Sequence, residues 1–113
     1  MTISQITTHV LDTTVGRPAE GVRVELFVYE ASGWTLVGSG ATDADGRATG
    51  LGPGSVPAGE YRLRFDTGAF FAAAGTEAFY PEVVLHFEVA ADGRHVHVPL
   101  LLSPFAYSTY RGS

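Results

Sequence analysis

Four histidines, His9, His86, His95 and His97, hold most of the catalytic potential of this sequence. Imidazole titrates near neutrality, with an unperturbed pKa of ~6.5, so each can serve as a general base. His95 and His97 stand two apart, and in a strand that spacing projects both side chains from one face. Two imidazoles on one face can hold a metal, with His9 as a third ligand. They can equally form the wet face of a strand beside a turn, and spacing alone favours that reading. His9 lies in Ile6-Thr7-Thr8-His9-Val10-Leu11-Asp12, where alternation groups it with Leu11 and groups Val10 with Asp12. Taken singly it is a partly buried strand histidine. Arg47 directly follows the turn Asp43-Ala44-Asp45-Gly46. Its rigid donor fork suits an anionic or carbonyl-rich substrate, although alone it is more simply a solvated charge at the start of a strand.

Much other chemistry is excluded. No HExxH, Cys/His cluster, P-loop or dinucleotide glycine fingerprint occurs. With no cysteine there are no disulfides, thiolate metal sites or thiol nucleophiles. Gly38-Ser39-Gly40 is flanked wrongly for a serine elbow and reads as a bend in a strand. Twelve acids against seven basic residues, all of them arginine, give a formal charge of −5. An acidic chain without a basic cluster is a poor partner for nucleic acid or an anionic membrane.

The elements that must position these residues are mostly strands. Val22, Val24, Leu26 and Val28 fall on one face, with Arg23, Glu25, Phe27 and Tyr29 on the other. Tyr61, Leu63 and Phe65 alternate with Arg62, Arg64 and Asp66, and Val83, Leu85, Phe87 and Val89 form a third alternating set. One wet face per strand is usual in antiparallel sheets. Turn signals recur at Gly16-Arg17-Pro18, Ala31-Ser32-Gly33, Asp43 to Gly46 and Asp92-Gly93, and Gly50 to Gly59 reads as a surface loop. Gly68 to Thr76 is rich in alanine and predicts a two-turn helix with Gly75 available to end it. Seven or eight short strands and one small helix predict an all-β Greek-key sandwich.

At 113 residues, 45% of them apolar, the chain is expected to form one globular domain spanning 1–113. A chain this short buries only about two-thirds of its unfolded surface, which makes oligomer formation a reasonable further source of stability. No apolar run reaches the roughly 18 residues a membrane helix needs, and the opening residues lack the pattern of a signal peptide. The expected address is the cytoplasm. The ending is unusual: Leu100 to Phe105 is an apolar run, followed by a tail with Tyr107 and Tyr110. Such a tail is expected to be docked rather than frayed.

Two long segments carry a family resemblance. Thr8 to Phe27, THVLDTTVGRPAEGVRVELF, and His97 to Ser113, HVPLLLSPFAYSTYRGS, resemble the two signatures of the 5-hydroxyisourate hydrolases in the transthyretin-like family. The central pieces DADGR, AGEYRLRFDTGAFF and FYPEVVLHFEV are similar as well. The closing Tyr110-Arg111-Gly112-Ser113 is the most specific part. Val96 stands where many members carry Tyr, and Phe105-Ala106 where many carry Tyr-Gly.

The resemblance implies a transthyretin-like sandwich of two four-stranded sheets with one short helix. It also implies a homotetramer, a dimer of dimers, with sites in a channel between dimers. The implied reaction is hydrolysis of 5-hydroxyisourate, the product of urate oxidation, at a ring amide bond. The product is 2-oxo-4-hydroxy-4-carboxy-5-ureidoimidazoline, and no metal or organic cofactor is implied. Carried over residue by residue, His9, Arg47 and His97 are the expected catalytic set. His9, Arg47, Tyr110 and Ser113 are expected to bind substrate, while His95 matches a family histidine of lesser expected involvement. The alternative is a transthyretin-type small-molecule carrier without catalysis. The resemblance speaks against it, because carriers have Lys, Glu and Thr at the positions matching His9, Arg47 and His97 and lack the Tyr-Arg-Gly-Ser ending.

Overall fold

The computed structural model describes residues 3–113. In chain order the elements are β1 (Ile6–Asp12), β2 (Arg17–Pro18), β3 (Arg23–Glu30), β4 (Gly33–Ala41), β5 (Arg47–Ala48) and β6 (Gly59–Phe65). The helix α1 (Thr67–Ala73) follows, then β7 (Val83–Val89), β8 (Val96–Leu102) and β9 (Tyr107–Thr109). They build two sheets. One is ordered β4-β3-β6-β7, with every neighbouring pair antiparallel. The other runs β2-β1-β8-β9, and the two-residue β5 also pairs with β1. The second sheet is therefore a four-strand path with a fifth short strand beside it.

Alternation decides which face is buried. Val22, Val24, Leu26, Tyr61, Leu63, Phe65, Val83, Leu85 and Val89 point inward from the first sheet and meet Ile6, Val10, Val96, Val98, Leu100 and Leu102 from the second. Two hydroxyls that enter this layer are satisfied, as burial demands, whereas the buried Thr67 hydroxyl and Arg62 Nε have no hydrogen-bond partner. The Tyr61 hydroxyl donates to the Pro57 carbonyl at 2.6 Å, and burial, with Glu30 nearby, pushes its pKa above the usual tyrosine value. The Thr8 hydroxyl donates to the Val98 carbonyl at 2.6 Å, tying β1 to β8.

Local signals act where the chain turns. The alanine-rich stretch forms the expected two-turn helix, starting one residue earlier at Thr67, and Gly75 adopts φ 69° just after its end. Its N–H donates to the Ala72 carbonyl, and the Thr76 N–H donates to Phe71, the paired bonds of a Schellman ending. Gly16 lies in a turn, whereas Arg17 and Pro18 leave it to pair with Asp12 and Leu11. Gly38-Ser39-Gly40 lies within β4, opposite a register irregularity between Leu26 and Phe27. The tail is docked on its own chain: β9 pairs with β8, and Gly112 continues that pairing to His97.

Candidate active site

The central strand β1 runs parallel to β8, with Thr7 opposite His97 and His9 opposite Pro99. Its other edge pairs antiparallel with β5, which sets His9 opposite Arg47. Side chains opposite each other in a ladder share a face. One outward-facing surface therefore carries Thr7 and His9 from β1, Arg47 from β5 and His97 from β8. His95, two residues before His97, is on this face too, its ring stacked with that of His97 at a centroid distance of 6.2 Å.

The Asp43–Gly46 turn is built to deliver Arg47. One Asp43 carboxylate oxygen accepts the N–H groups of both Asp45 and Arg47, each at 2.9 Å. Gly46 has φ 78°, and a Cβ there would come within 2.4 Å of the Val10 carbonyl oxygen. Only glycine satisfies both the left-handed backbone and the close approach to β1. The same turn orients His9, whose Nε2 lies 2.7 Å from the Asp45 carbonyl oxygen. A carbonyl only accepts, so Nε2 carries the proton and a neutral His9 presents its lone pair at Nδ1.

His97 is held from two sides. Its Nδ1 lies 2.8 Å from the Thr7 hydroxyl, which also lies 2.9 Å from Nε2 of His95. On the tail side, the Gly112 N–H donates to the His97 carbonyl at 2.8 Å. A Cβ on Gly112 would fall 2.7 Å from Cδ2 of the His97 ring. Glycine in the terminal tetrapeptide is thus what lets the tail lie against this imidazole. Burial holds the His97 pKa below the usual histidine value, followed by the positive charge of Arg47 and the neighbouring His95 and His9. The ring is neutral at physiological pH and available as a base.

Thr7, Arg47, His95, His97 and Ser113 line a shallow hollow of about 210 Å³. His9 stands beside it through its pairing with Arg47. Tyr110 is exposed and contributes to a different hollow, of about 350 Å³, at the edge between the sheets with Phe87, Val96 and Val98. Four of the five expected residues therefore gather around one place, and Tyr110 stands apart from that hollow within a single chain. Among the described residues, no three side chains of His, Asp or Glu converge closely enough to share a metal ion.

Thr7 was not singled out by the residue pattern. It shares a face with His9 by alternation, but its meeting with His95 and His97 depends on the pairing of β1 with β8, which no local signal announces. The Asp45 carbonyl, a backbone group, has no residue-type signature at all.

Two packed sheets with a polar, histidine-bearing outer face define a transthyretin-like sandwich fitted for chemistry on a small molecule. Residues 6–112 match the HIUase/Transthyretin family, and the chain belongs to it. The 5-hydroxyisourate hydrolase of Mus musculus is 44% identical over 113 residues, covering 97% of this chain and 96% of the mouse protein. Among solved structures, the Klebsiella pneumoniae 5-hydroxyisourate hydrolase aligns over 100% of both chains, with a TM-score of 0.86 and 37% identity. Sea bream transthyretin in complex with thyroxine aligns over 96% of this chain and 94% of its own, with a TM-score of 0.90 and 35% identity. The fold is thus shared by relatives named as enzymes and by a relative solved with a bound small molecule.

Proposed function

We propose that this protein hydrolyses 5-hydroxyisourate at a ring amide bond, giving 2-oxo-4-hydroxy-4-carboxy-5-ureidoimidazoline, a step in the degradation of urate. The observation that carries this reading is the His97 imidazole, its pKa lowered by burial, sharing one sheet face with the Arg47 guanidinium, in a family whose similar members are named for that reaction. Opening a cyclic amide needs a base for water, donors for the developing oxyanion and a proton for the departing nitrogen. His97 takes a proton from water as its oxygen attacks the ring carbonyl. The carbon–nitrogen bond then breaks, and the imidazolium returns that proton to the leaving nitrogen. Arg47 holds the carbonyl or enolate oxygens and balances the growing negative charge. His9, its Nε2–H committed to Asp45, directs the Nδ1 lone pair toward the water. Tyr110 and Ser113 hold the substrate ring. Every step uses the chain's own side chains, so the proposed reaction takes no metal or organic cofactor.

The working unit we propose is a homotetramer of single-domain chains in the cytoplasm, a dimer of dimers. Two features support assembly. The histidine-bearing face is open in one chain, where a shallow hollow cannot exclude water from a small ring. Phe105, Tyr107 and Tyr110 of the tail are exposed as well, and further copies would cover these surfaces. This arrangement gives Tyr110 a route to the site that a lone chain does not offer.

The transthyretin likeness favours a second reading, a carrier that binds a small molecule on the same face without altering it. The ultraviolet decay of freshly generated 5-hydroxyisourate separates the two. Hydrolysis requires decay faster than the spontaneous background and proportional to added protein. A carrier leaves the decay rate unchanged or slows it.

A further inference from the structure

Thr7 is a nearly fully buried residue, and its hydroxyl lies between two imidazoles, 2.9 Å from Nε2 of His95 and 2.8 Å from Nδ1 of His97. It has no third hydrogen-bond partner in the structure. A hydroxyl has one proton to give, so it donates to one ring and accepts from the other. Leaving that proton unpaired in a buried position would cost about 1–3 kcal/mol. The two histidines are therefore constrained together: when one presents an N–H to Thr7, the other presents a lone pair.

We infer that Thr7 is a positioning residue that sets the tautomer of His97 through His95. This rests on the proposed hydrolytic role of His97. In one direction His97 Nδ1–H donates to Thr7, Thr7 donates to Nε2 of His95, and the lone pair of His97 lies at Nε2, free to take a proton from water. In the other direction Thr7 donates to His97 Nδ1, His97 carries its proton at Nε2, and His97 has no free lone pair with which to act as the base. Only the first arrangement supports catalysis. It also persists after His97 gains its second proton, because the Nδ1–H bond to Thr7 is unchanged.

The coupling has a consequence for His95. A protonated His95 must donate from Nε2 to Thr7, which turns the hydroxyl toward His97 and forces the inactive tautomer. His95 thereby controls the base without touching the substrate. The charged and titratable groups around the pair are His9 on β1, Arg47 on β5, and Arg94 and Arg111 at the adjoining hollow. Of these, Arg94 is engaged by Asp92 at 3.1 Å.

The test compares the wild type with Thr7→Val, which keeps the shape and removes the hydroxyl, and with Thr7→Ser, which keeps the hydroxyl. Nitrogen-15 NMR of the histidine rings at a pH where His97 is neutral reads the tautomer directly and needs no substrate. The expected wild-type result is a protonated Nδ1 and an unprotonated Nε2 on His97. Thr7→Val is expected to mix the tautomers and lower kcat by about 10- to 100-fold, the usual effect of losing an orienting partner of a functional histidine. KM should change little, and Thr7→Ser should recover both the tautomer and most of the rate. A wild-type His97 protonated at Nε2, or a Thr7→Ser variant as impaired as Thr7→Val, overturns the inference. If Thr7→Val does not fold, the wild-type spectrum alone decides. A wild type with the expected tautomer but no turnover would instead contradict the hydrolase reading, so the two failures are distinguishable.

Discussion

At the residue scale, the imidazole of His97 is fixed by the Thr7 hydroxyl at Nδ1 and by the tail backbone at Gly112, which leaves no room for a Cβ beside the ring. An imidazole held this firmly would spend little energy on orientation in the proposed role of base. Its protonation is set by burial first and by Arg47 second. Because the folded pKa lies below the unfolded value of ~6.5, the native state binds fewer protons than the unfolded state between those two values. Stability is thus at its full value above about pH 6.5 and declines as pH falls through the folded pKa of His97, while the ring stays neutral to a lower pH than a free imidazole does. Replacing Arg47 with glutamine removes the second cause. Proton NMR titration of the His97 ring in Arg47→Gln should show its pKa rising toward the ordinary histidine value; an unchanged or lower pKa would mean that the guanidinium does not act on this imidazole.

At the element scale, what the sequence makes legible follows the range of each interaction. The alternating runs of β3, β6 and β7 are readable because burial is written at period two in adjacent residues. Gly75 is readable as a helix stop because its left-handed backbone is a local demand. The union of Thr7 with His97 is not readable in this way, because the partners are 90 positions apart and meet only through the parallel pairing of β1 with β8. Arg47 lies between these cases: the Asx-Gly turn before it is evident, but the edge of β1 on which the turn lands is not. For His9, Arg47 and His97 the family resemblance supplied what periodicity could not. Gly38 shows the same limit. Its need for glycine comes from the Leu51 carbonyl oxygen, which would stand 2.1 Å from an added Cβ. Leu51 is itself fully buried. Gly38→Ala is therefore expected to destabilise the fold by about 1–3 kcal/mol, the usual range for overpacking. Urea denaturation checks this, and an unchanged midpoint would show that β4 and the Gly50–Gly59 loop shift apart at little cost.

At the scale of the whole molecule, the division of labour lies between the two sheets. The β4-β3-β6-β7 sheet supplies one wall of the core and keeps an outer surface of ion pairs, such as Arg64 with Glu25 and Glu82. The other sheet gathers residues from the start, middle and end of the chain onto one outer face. That face is open in a single copy, so the proposed assembly and the proposed chemistry stand together. Sedimentation equilibrium should return about four times the 12.0 kDa of one chain; a stable monomer with full turnover would show that the open face needs no cover.

The most direct trial of the account is the initial rate of 5-hydroxyisourate decay, followed in the ultraviolet, for the wild type and for His97→Gln at equal concentration and with the uncatalysed rate subtracted. The wild type should accelerate decay in proportion to protein, and His97→Gln should lose about 100- to 10,000-fold of that acceleration, the range expected for removing a general base. Equal rates for the two proteins would contradict the central role given to this imidazole.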